Sequence, residues 1–497
     1  MSRLPIFYSA LLLTGVNLLL RLAGTTFQVY LSATLGAAGI GLLQLVLSIG
    51  SLSMVAGMAG IRTATMYLTA EEYGRGKPQN IRFVLSGCIL YSVLCSSFVG
   101  LVLYVLAPQI AANWIGDLRT VGALRLFGAF LPISCLCGVM TGYFTGVNRI
   151  TTLVIVEILE QICATAITLL CLHFWAGNDP GKACQSIVLG SNLGAVVTLS
   201  CLIFLRIRER SAASAPIPIR SRLMQAAVPL AVADDVKAGI NTLENLMVPK
   251  RLALCTQIEN PLAAFGLLSG MVFPILMFPA CILYALAELL IPELARCAAA
   301  GHRTRIRYLT RRSLRIAMLY GLLFGGLEWL LADNLCTAIY RNTQAGQSLR
   351  LYALLIPMLY CDAIIDAMNK GLGQQKICVR YNILTALLDV VFLYLLLPEY
   401  GMRGYFLSFF VTHLLNFALS LRLLLKVTGH RLPLYIPALA LSATLAAAWA
   451  ANLLPSPALQ AIGFTALLGS LLCLAKVTGK EDIIWFRNLI LQQKGGR

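Results

Sequence analysis

The chain has 497 residues, of which 59% are hydrophobic and only 12% are charged, and its mean hydropathy is +0.80. This composition excludes an ordinary water-soluble domain. The formal net charge of +18 could suit nucleic acid. Here, however, the basic residues lie in short segments between apolar stretches, where they set membrane orientation and meet anionic lipid headgroups. We therefore expect an integral membrane protein with no nucleic-acid partner.

Apolar stretches of about 20 residues, long enough to cross about 30 Å of hydrocarbon as a helix, recur along the whole chain. They are too long and too rich in Leu, Ala and Gly for barrel strands, so the backbone must satisfy its hydrogen bonds within helices. The predicted fold class is all-α, a polytopic membrane protein with about fourteen transmembrane helices. These are predicted over residues 6–31, 40–68, 82–107, 122–147, 151–173, 184–206, 223–248, 263–290, 311–332, 350–369, 380–398, 404–425, 433–453 and 458–477.

The first apolar segment follows Arg3 and is too long for a signal peptide, so we expect it to stay on the protein. The fifteen cysteines form no CxxC pair, and the chain has only four histidines. This pattern favours cysteines that pack between helices over disulfides or metal ligands. No cofactor and no metal are expected.

The positions of the basic residues predict how the helices are oriented in the membrane. Most of the 39 Lys and Arg residues fall on the two tails and on the even-numbered loops, with the largest clusters over residues 206–222 and 296–315. Because cytoplasmic loops are enriched in Lys and Arg, both termini are predicted to lie in the cytoplasm.

An internal repeat divides the predicted helices into two groups. The segment Gly41–Val46 is echoed by Gly266–Val272, and Gly146–Arg149 by Gly373–Lys376, at offsets of 225 and 227 residues. Six helices therefore repeat as six, and the substrate path is expected between the two lobes. The predicted domains are an N-lobe at 1–206, a basic linker at 207–222, a C-lobe at 223–428, two further helices at 429–478 and a cytoplasmic tail at 479–497.

Cations within the predicted spans indicate an anionic substrate. Ionisable groups are costly in hydrocarbon, so they normally face a cavity or a partner. Arg21 and Lys237 lie at similar depths on equivalent helices of the two lobes, and Arg62 lies on helix 2. Together with Asn17 and Glu244 they form the predicted substrate-binding set. The alternative for Lys237 is neutralisation by Asp234, three residues before it on one helix face.

Acidic residues within the spans are candidate sites for a coupling ion. An ordinary ion pair explains Asp366, because Lys370 follows four residues later. Prolines also interrupt the spans, and the resulting bends could serve gating or be fixed packing kinks. The coupling-ion candidates are Glu160, Asp234, Asp362 and Asp389, and the prolines are Pro229, Pro274, Pro279 and Pro357.

Several segments in order along the chain carry a family resemblance, namely Leu20–Gly24, Leu35–Gly41, Gly142–Gly146 with Glu160-Gln161, Val248–Leu252, Gly371–Lys376 and Met402–Gly404. In these segments the chain resembles the stage V sporulation protein B group of polysaccharide exporters, within the superfamily of multidrug and toxin extruders, oligosaccharide flippases and lipid II flippases. Arg21 matches a basic position on helix 1 that the lipid II flippases use in their cavity. Two positions depart from the flippase pattern, namely Phe27 and the pair Ile61-Arg62.

The resemblance implies two six-helix lobes around a central cavity, two C-terminal helices, and a bacterial cytoplasmic membrane. It further implies alternating-access movement of an undecaprenyl-linked sugar precursor, in cell-wall or spore-cortex synthesis. We expect membrane lipids and this lipid-linked substrate as partners, and a monomer. The alternative is a multidrug or organic-cation antiporter of the same fold, which would rely on the acidic residues. An enzyme is not expected, because the chain lacks a cluster of His or Asp residues in a sizeable loop.

Overall fold

The computed structural model describes residues 6–74, 80–147, 149–177, 179–207, 220–429 and 435–475. The predicted all-α fold is confirmed, since these residues contain helices and no strand. In chain order the α-helices are α1 (Ile6–Met58), α2 (Ile61–Gly74), α3 (Ile81–Ile110), α4 (Val121–Gly146), α5 (Ile150–Cys171), α6 (Pro180–Ile207), α7 (Arg220–Leu252), α8 (Pro261–Leu267), α9 (Phe273–Met277), α10 (Ala280–Ala299), α11 (Arg303–Tyr340), α12 (Thr343–Ala353), α13 (Ile356–Gly371), α14 (Gln375–Thr428), α15 (Tyr435–Ala451) and α16 (Pro457–Leu474).

Helices α1 and α14 are 53 and 54 residues long. At 1.5 Å per residue each measures about 80 Å, more than twice the hydrocarbon thickness. Each contains one glycine outside the helical region of the backbone, Gly36 (φ 66°, ψ 177°) and Gly401 (φ 53°, ψ −129°). Glycine reaches such angles without a Cβ clash. Each helix therefore consists of two segments that meet at the glycine, and each segment is long enough to cross the bilayer.

Many helices of the described part can span a membrane. Eight are long and apolar enough to cross it, or ten if two bent pairs each count as one span. That number takes α1 and α14 once each, and dividing both at their glycines raises it to twelve. The exact count of fourteen stays a prediction. The chain is thus a multi-pass membrane protein.

Helix breaks occur at some of the predicted prolines and at one unpredicted place. Pro279 lies between α9 and α10, and Pro357 follows a 57° bend between α12 and α13. Helix α7 instead continues past Pro229. The second predicted helix, 40–68, is interrupted after Met58, where Ala59 and Gly60 take positive φ values of 43° and 71°. This break directly precedes Arg62.

The chain forms two compact units, one of residues 1–270 with 386–405, the other of 271–385 with 406–497. The two lobes predicted from the repeat, 1–206 and 223–428, stay a prediction. Most of the predicted linker and the predicted tail lie outside the described residues.

In the first unit, glycines allow helices to approach closely. A Cβ at Gly41 would lie 2.3 Å from the Leu262 carbonyl oxygen, and one at Gly266 would lie 2.0 Å from that of Ala37. These glycines are the ones that recur in the sequence repeat, and they bring α1 and α8 together. Likewise, Gly142 packs against the backbone of α2 at Arg62.

In the second unit, α11, α15 and α16 enclose an apolar cluster. Phe464 of α16 is fully buried, and its ring lies over Gly326 of α11, where a Cβ would come within 2.2 Å of the ring. The other face of α11 packs against α12 and α13, since Gly321 and Gly325 meet Pro357 and Ile356.

Candidate functional site

A polar cavity of about 540 Å³ lies within the first unit, between the second half of α1, the start of α2 and the middle of α7. Most of its lining side chains are polar or charged. The lining residues are Gln44, Leu47, Ser48, Ser51, Val55, Met58, Gly60, Arg62, Thr63, Asp234, Lys237, Ala238, Asn241, Thr242 and Asn245.

Helical periodicity explains why these residues share the cavity. On α7 the lining residues follow one another at spacings of three and one, from Asp234 through Lys237 and Asn241 to Asn245. On α1 they run from Gln44 at spacings of three, one, three, four and three. Residues three or four apart lie on the same face of a helix. Each helix therefore presents one stripe to the cavity.

Hydrogen bonds hold these two stripes together. The Thr242 hydroxyl donates to the Ser48 carbonyl oxygen at 3.2 Å, and the Asn245 amide donates to the Ser48 hydroxyl at 3.0 Å. Both bonds satisfy polar groups that would be costly to leave unpaired between helices.

Three of the predicted site residues meet in this cavity. Arg62 enters it directly after the break at Ala59 and Gly60, and Lys237 and Asp234 enter it from α7. Neither Arg62 nor Lys237 forms an ion pair with any residue that the structure describes. The cavity thus holds two cations and one carboxylate, a balance that favours an anion.

Two predicted residues of the substrate set are not described by the structure. Asn17 and Arg21 belong to α1, but their side chains lie outside the described part of the chain. Their roles stay predictions.

Glu244, also predicted to bind substrate, does not line the cavity. Its carboxyl group interacts electrostatically with that of Asp389, which comes from α14. The pair therefore joins a predicted substrate residue to a predicted coupling residue, and both roles stay predictions.

The other acidic candidates have protein partners. The Thr198 hydroxyl donates to Glu160 at 2.7 Å, and the Asn416 amide donates to Asp362 at 3.1 Å. Asp366 forms the expected ion pair with Lys370, with a nitrogen–oxygen distance of 2.5 Å. Each carboxylate is thus tied to a neighbouring helix or turn.

A second cavity of about 430 Å³ in the same unit also includes Thr242 among its lining residues. Its walls are mainly apolar, with Lys250 and Arg251 from the end of α7. Both cations are engaged by the protein. Lys250 donates to the Asn113 carbonyl oxygen, while Arg251 donates to that of Tyr394 at 2.7 Å and stacks on its ring, 3.6 Å from the centroid.

The sequence prediction missed the uncharged part of the polar cavity and one buried acid. Gln44, Ser48, Asn241 and Asn245 were detectable as polar residues at helical spacing around Lys237. Glu328 of α11 was not identified either, although it is only 4% exposed.

The sequence matches the MatE family model over residues 13–170 and 258–395, more than half of the chain. The chain belongs to the MatE family. The stage V sporulation protein B of Bacillus subtilis (strain 168) is 22% identical over 417 residues, which cover 81% of this chain and 80% of that protein. The sporulation protein YkvU of the same organism is 23% identical over 285 residues, which cover 54% of this chain and 61% of that protein.

Solved structures share the fold of this MatE family chain. A lipid II flippase MurJ in an inward closed conformation has a TM-score of 0.71 and 13% identity, covering 97% of this chain and 100% of that one. An inward-facing multidrug resistance MATE family transporter of the MOP superfamily has a TM-score of 0.66 and 14% identity, covering 84% and 96%. At these identities the likeness concerns the fold. The family resemblance inferred from the sequence motifs is confirmed.

Proposed function

We propose that the chain is an alternating-access flippase that moves an undecaprenyl-linked oligosaccharide or peptidoglycan precursor across the cytoplasmic membrane. The observation that carries this proposal is the presence of Arg62 and Lys237 in one polar cavity without an ion-pair partner among the described residues. A guanidinium can grip a pyrophosphate with two parallel hydrogen bonds, and a lysine ammonium adds a point charge. The hydroxyl and amide groups of the cavity suit a sugar.

The size of the cavity supports a headgroup as its occupant. Ligand cavities commonly measure about 300–1,000 Å³, and this one measures about 540 Å³. We infer that the sugar pyrophosphate enters the cavity and that the polyprenyl tail stays in the lipid. The relatives named for sporulation and for lipid II support a cargo of cell-wall or spore-cortex synthesis.

Two further parts of the proposal rest on the sequence. The distribution of Lys and Arg supports cytoplasmic termini in a bacterial cytoplasmic membrane. We also propose that the transporter acts as a monomer and performs no chemical step on its cargo.

A multidrug or organic-cation antiporter is the second candidate, because one of the solved structures with this fold is a multidrug resistance transporter. Asp234 could attract such a cargo, but Arg62 and Lys237 in the same cavity would repel it. The balance of charge therefore favours the anionic lipid.

Flipping in proteoliposomes tests the proposal. A fluorescent sugar attached to undecaprenyl pyrophosphate would serve as the probe, and its transfer between leaflets would be followed by quenching from outside. We expect Arg62→Ala/Lys237→Ala to reduce flipping by about 100-fold or more, since each charge-assisted hydrogen bond contributes about 1.5–3 kcal/mol.

The matched control is Arg296→Ala, which also removes a positive charge, but at an exposed residue paired with Glu293. Arg305 keeps its own ion pair with Glu293 in that variant. Normal folding by size-exclusion chromatography with unchanged flipping in the double variant would contradict the proposal. Efflux of a cationic dye without flipping would favour the antiporter.

A further inference from the structure

Glu328 is a buried acid that the proposed cargo site does not use. Its side chain is 4% exposed, and neither carboxyl oxygen has a hydrogen-bond partner among the described residues. Glu328 lies three residues after Gly325 and seven after Gly321, so it is on the face of α11 that packs against α12 and α13. An acid group in such a position needs a physical explanation.

The titratable groups that interact with Glu328 are uncharged tyrosines and a cysteine. From its own helix, Tyr320 and Cys336 interact electrostatically with it, and Tyr360 does so from α13. The ions Asp333 of α11 and Arg350 of α12 are paired with each other at 2.6 Å. Tyr352 is the other titratable residue of α12.

Among the residues that the structure describes, the remaining elements add no cation that acts on Glu328. From α10, Cys281 and Tyr284 interact with Tyr360 rather than with Glu328. The described titratable residues of α15 and α16 are Tyr435 and Cys473, near the ends of these helices. A carboxylate anion at Glu328 would thus have neither a counter-ion nor a donor, which is costly in an apolar surrounding. This surrounding favours the uncharged acid.

The two tyrosines near Glu328 donate hydrogen bonds to carbonyl groups beside the break between α9 and α10. The Tyr360 hydroxyl donates to the Leu276 carbonyl oxygen at 2.8 Å, and the Tyr320 hydroxyl donates to that of Pro279 at 2.8 Å. These carbonyls flank the break between α9 and α10, where the regular backbone hydrogen bonds of a helix are interrupted. Their rings lie against each other, with centroids 6.0 Å apart.

A tyrosine hydroxyl has one proton to donate, and a carboxylate is a stronger acceptor than a neutral carbonyl. If the Glu328 carboxyl releases its proton to water, the resulting carboxylate competes for the Tyr360 hydroxyl. The bond from Tyr360 to the Leu276 carbonyl then breaks, and a bond from Tyr360 to Glu328 forms. Rebinding of the proton reverses both changes.

We propose that Glu328 is a proton-binding site of this transporter, and that its ionisation withdraws Tyr360 from the break between α9 and α10. The proton is thereby linked to the geometry of a broken span, which is the kind of element that changes in alternating access. The inference rests on the proposed transport function, but it does not depend on which cargo is moved.

Infrared difference spectroscopy of the full chain in nanodiscs, between about pH 5 and about pH 9, tests this site without any cargo. We expect the wild type to lose a protonated-carboxyl band as the pH rises, together with a shift of a tyrosine band. Glu328→Gln should remove that part of the carboxyl band and the tyrosine shift. Tyr360→Phe should remove the tyrosine shift and keep a titrating carboxyl band.

The control is Glu293→Gln, which removes a partly exposed carboxylate that is ion-paired with two arginines. It should leave both signals unchanged. A carboxyl band that is the same in wild type and Glu328→Gln would overturn the proposal. So would a Glu328 band that stays protonated over the whole range, or a tyrosine shift that survives in Tyr360→Phe. Because none of these readouts needs flipping, a failed cargo assay leaves this test intact.

Discussion

The polar cavity and the surroundings of Glu328 hold ionisable residues in opposite conditions. Arg62 and Lys237 are exposed to a cavity lined by hydroxyl and amide groups. Glu328 is enclosed, and its oxygens have no hydrogen-bond partner among the described residues. Ionisable residues within spans are therefore of two kinds. A cation that polar groups solvate stays charged and can bind a cargo, whereas an enclosed acid must stay neutral until the structure around it changes.

The largest expected effect comes from placing the wrong charge in the enclosed region. Glu328→Lys would bury an ammonium without a counter-ion, and we expect a loss of about 3 kcal/mol or more in stability. Lys237→Glu, in the open cavity, should change stability by less than about 1 kcal/mol, because water and polar side chains solvate either charge. Thermal unfolding in detergent measures both. Equal losses of stability in the two variants would contradict the proposed difference between the regions.

The smallest expected effect concerns a paired acid outside the spans, which serves as a reference for both regions. Asp117 accepts hydrogen bonds from the Arg119 side chain, the shortest at 2.6 Å, and this holds the pKa of the Asp117 carboxyl below its usual range. Stability from a lowered pKa is present above the unfolded value and is lost as the pH falls through the folded one.

Asp117→Asn should therefore lower the unfolding free energy by at most about 1 kcal/mol at pH 7, since the arginine is largely exposed. The difference from wild type should vanish in acid below the folded pKa. Melting curves of both proteins across this pH range provide the measurement. A difference that grows in acid would contradict the ion pair.

The fold was largely predictable because hydropathy and helix length depend on residues that are neighbours in the sequence. The all-α class, the presence of many membrane spans and the breaks at Pro279 and Pro357 follow from such local signals. The break at Ala59 and Gly60 was missed, because alanine rarely takes a positive φ and only the packing around it can hold that geometry.

The candidate site was predictable in part. Arg62, Lys237 and Asp234 were identified as costly charges, and they meet in one cavity. Glu244 of α7 interacts with Asp389 of α14, and no local pattern could reveal this because the two residues are distant in sequence. Glu328 was missed because the predicted helix ended at residue 332, which placed the acid near a membrane face. In the structure α11 continues to Tyr340.

The central claim is that the cations of the polar cavity bind an anionic lipid headgroup. The most direct test is lipid extraction and mass spectrometry of the purified wild type, Arg62→Ala/Lys237→Ala and Arg296→Ala. We predict an undecaprenyl pyrophosphate species with the wild type and with Arg296→Ala, and at least about tenfold less with the double variant. Equal amounts of this lipid in all three proteins, or none with the wild type, would contradict the claim.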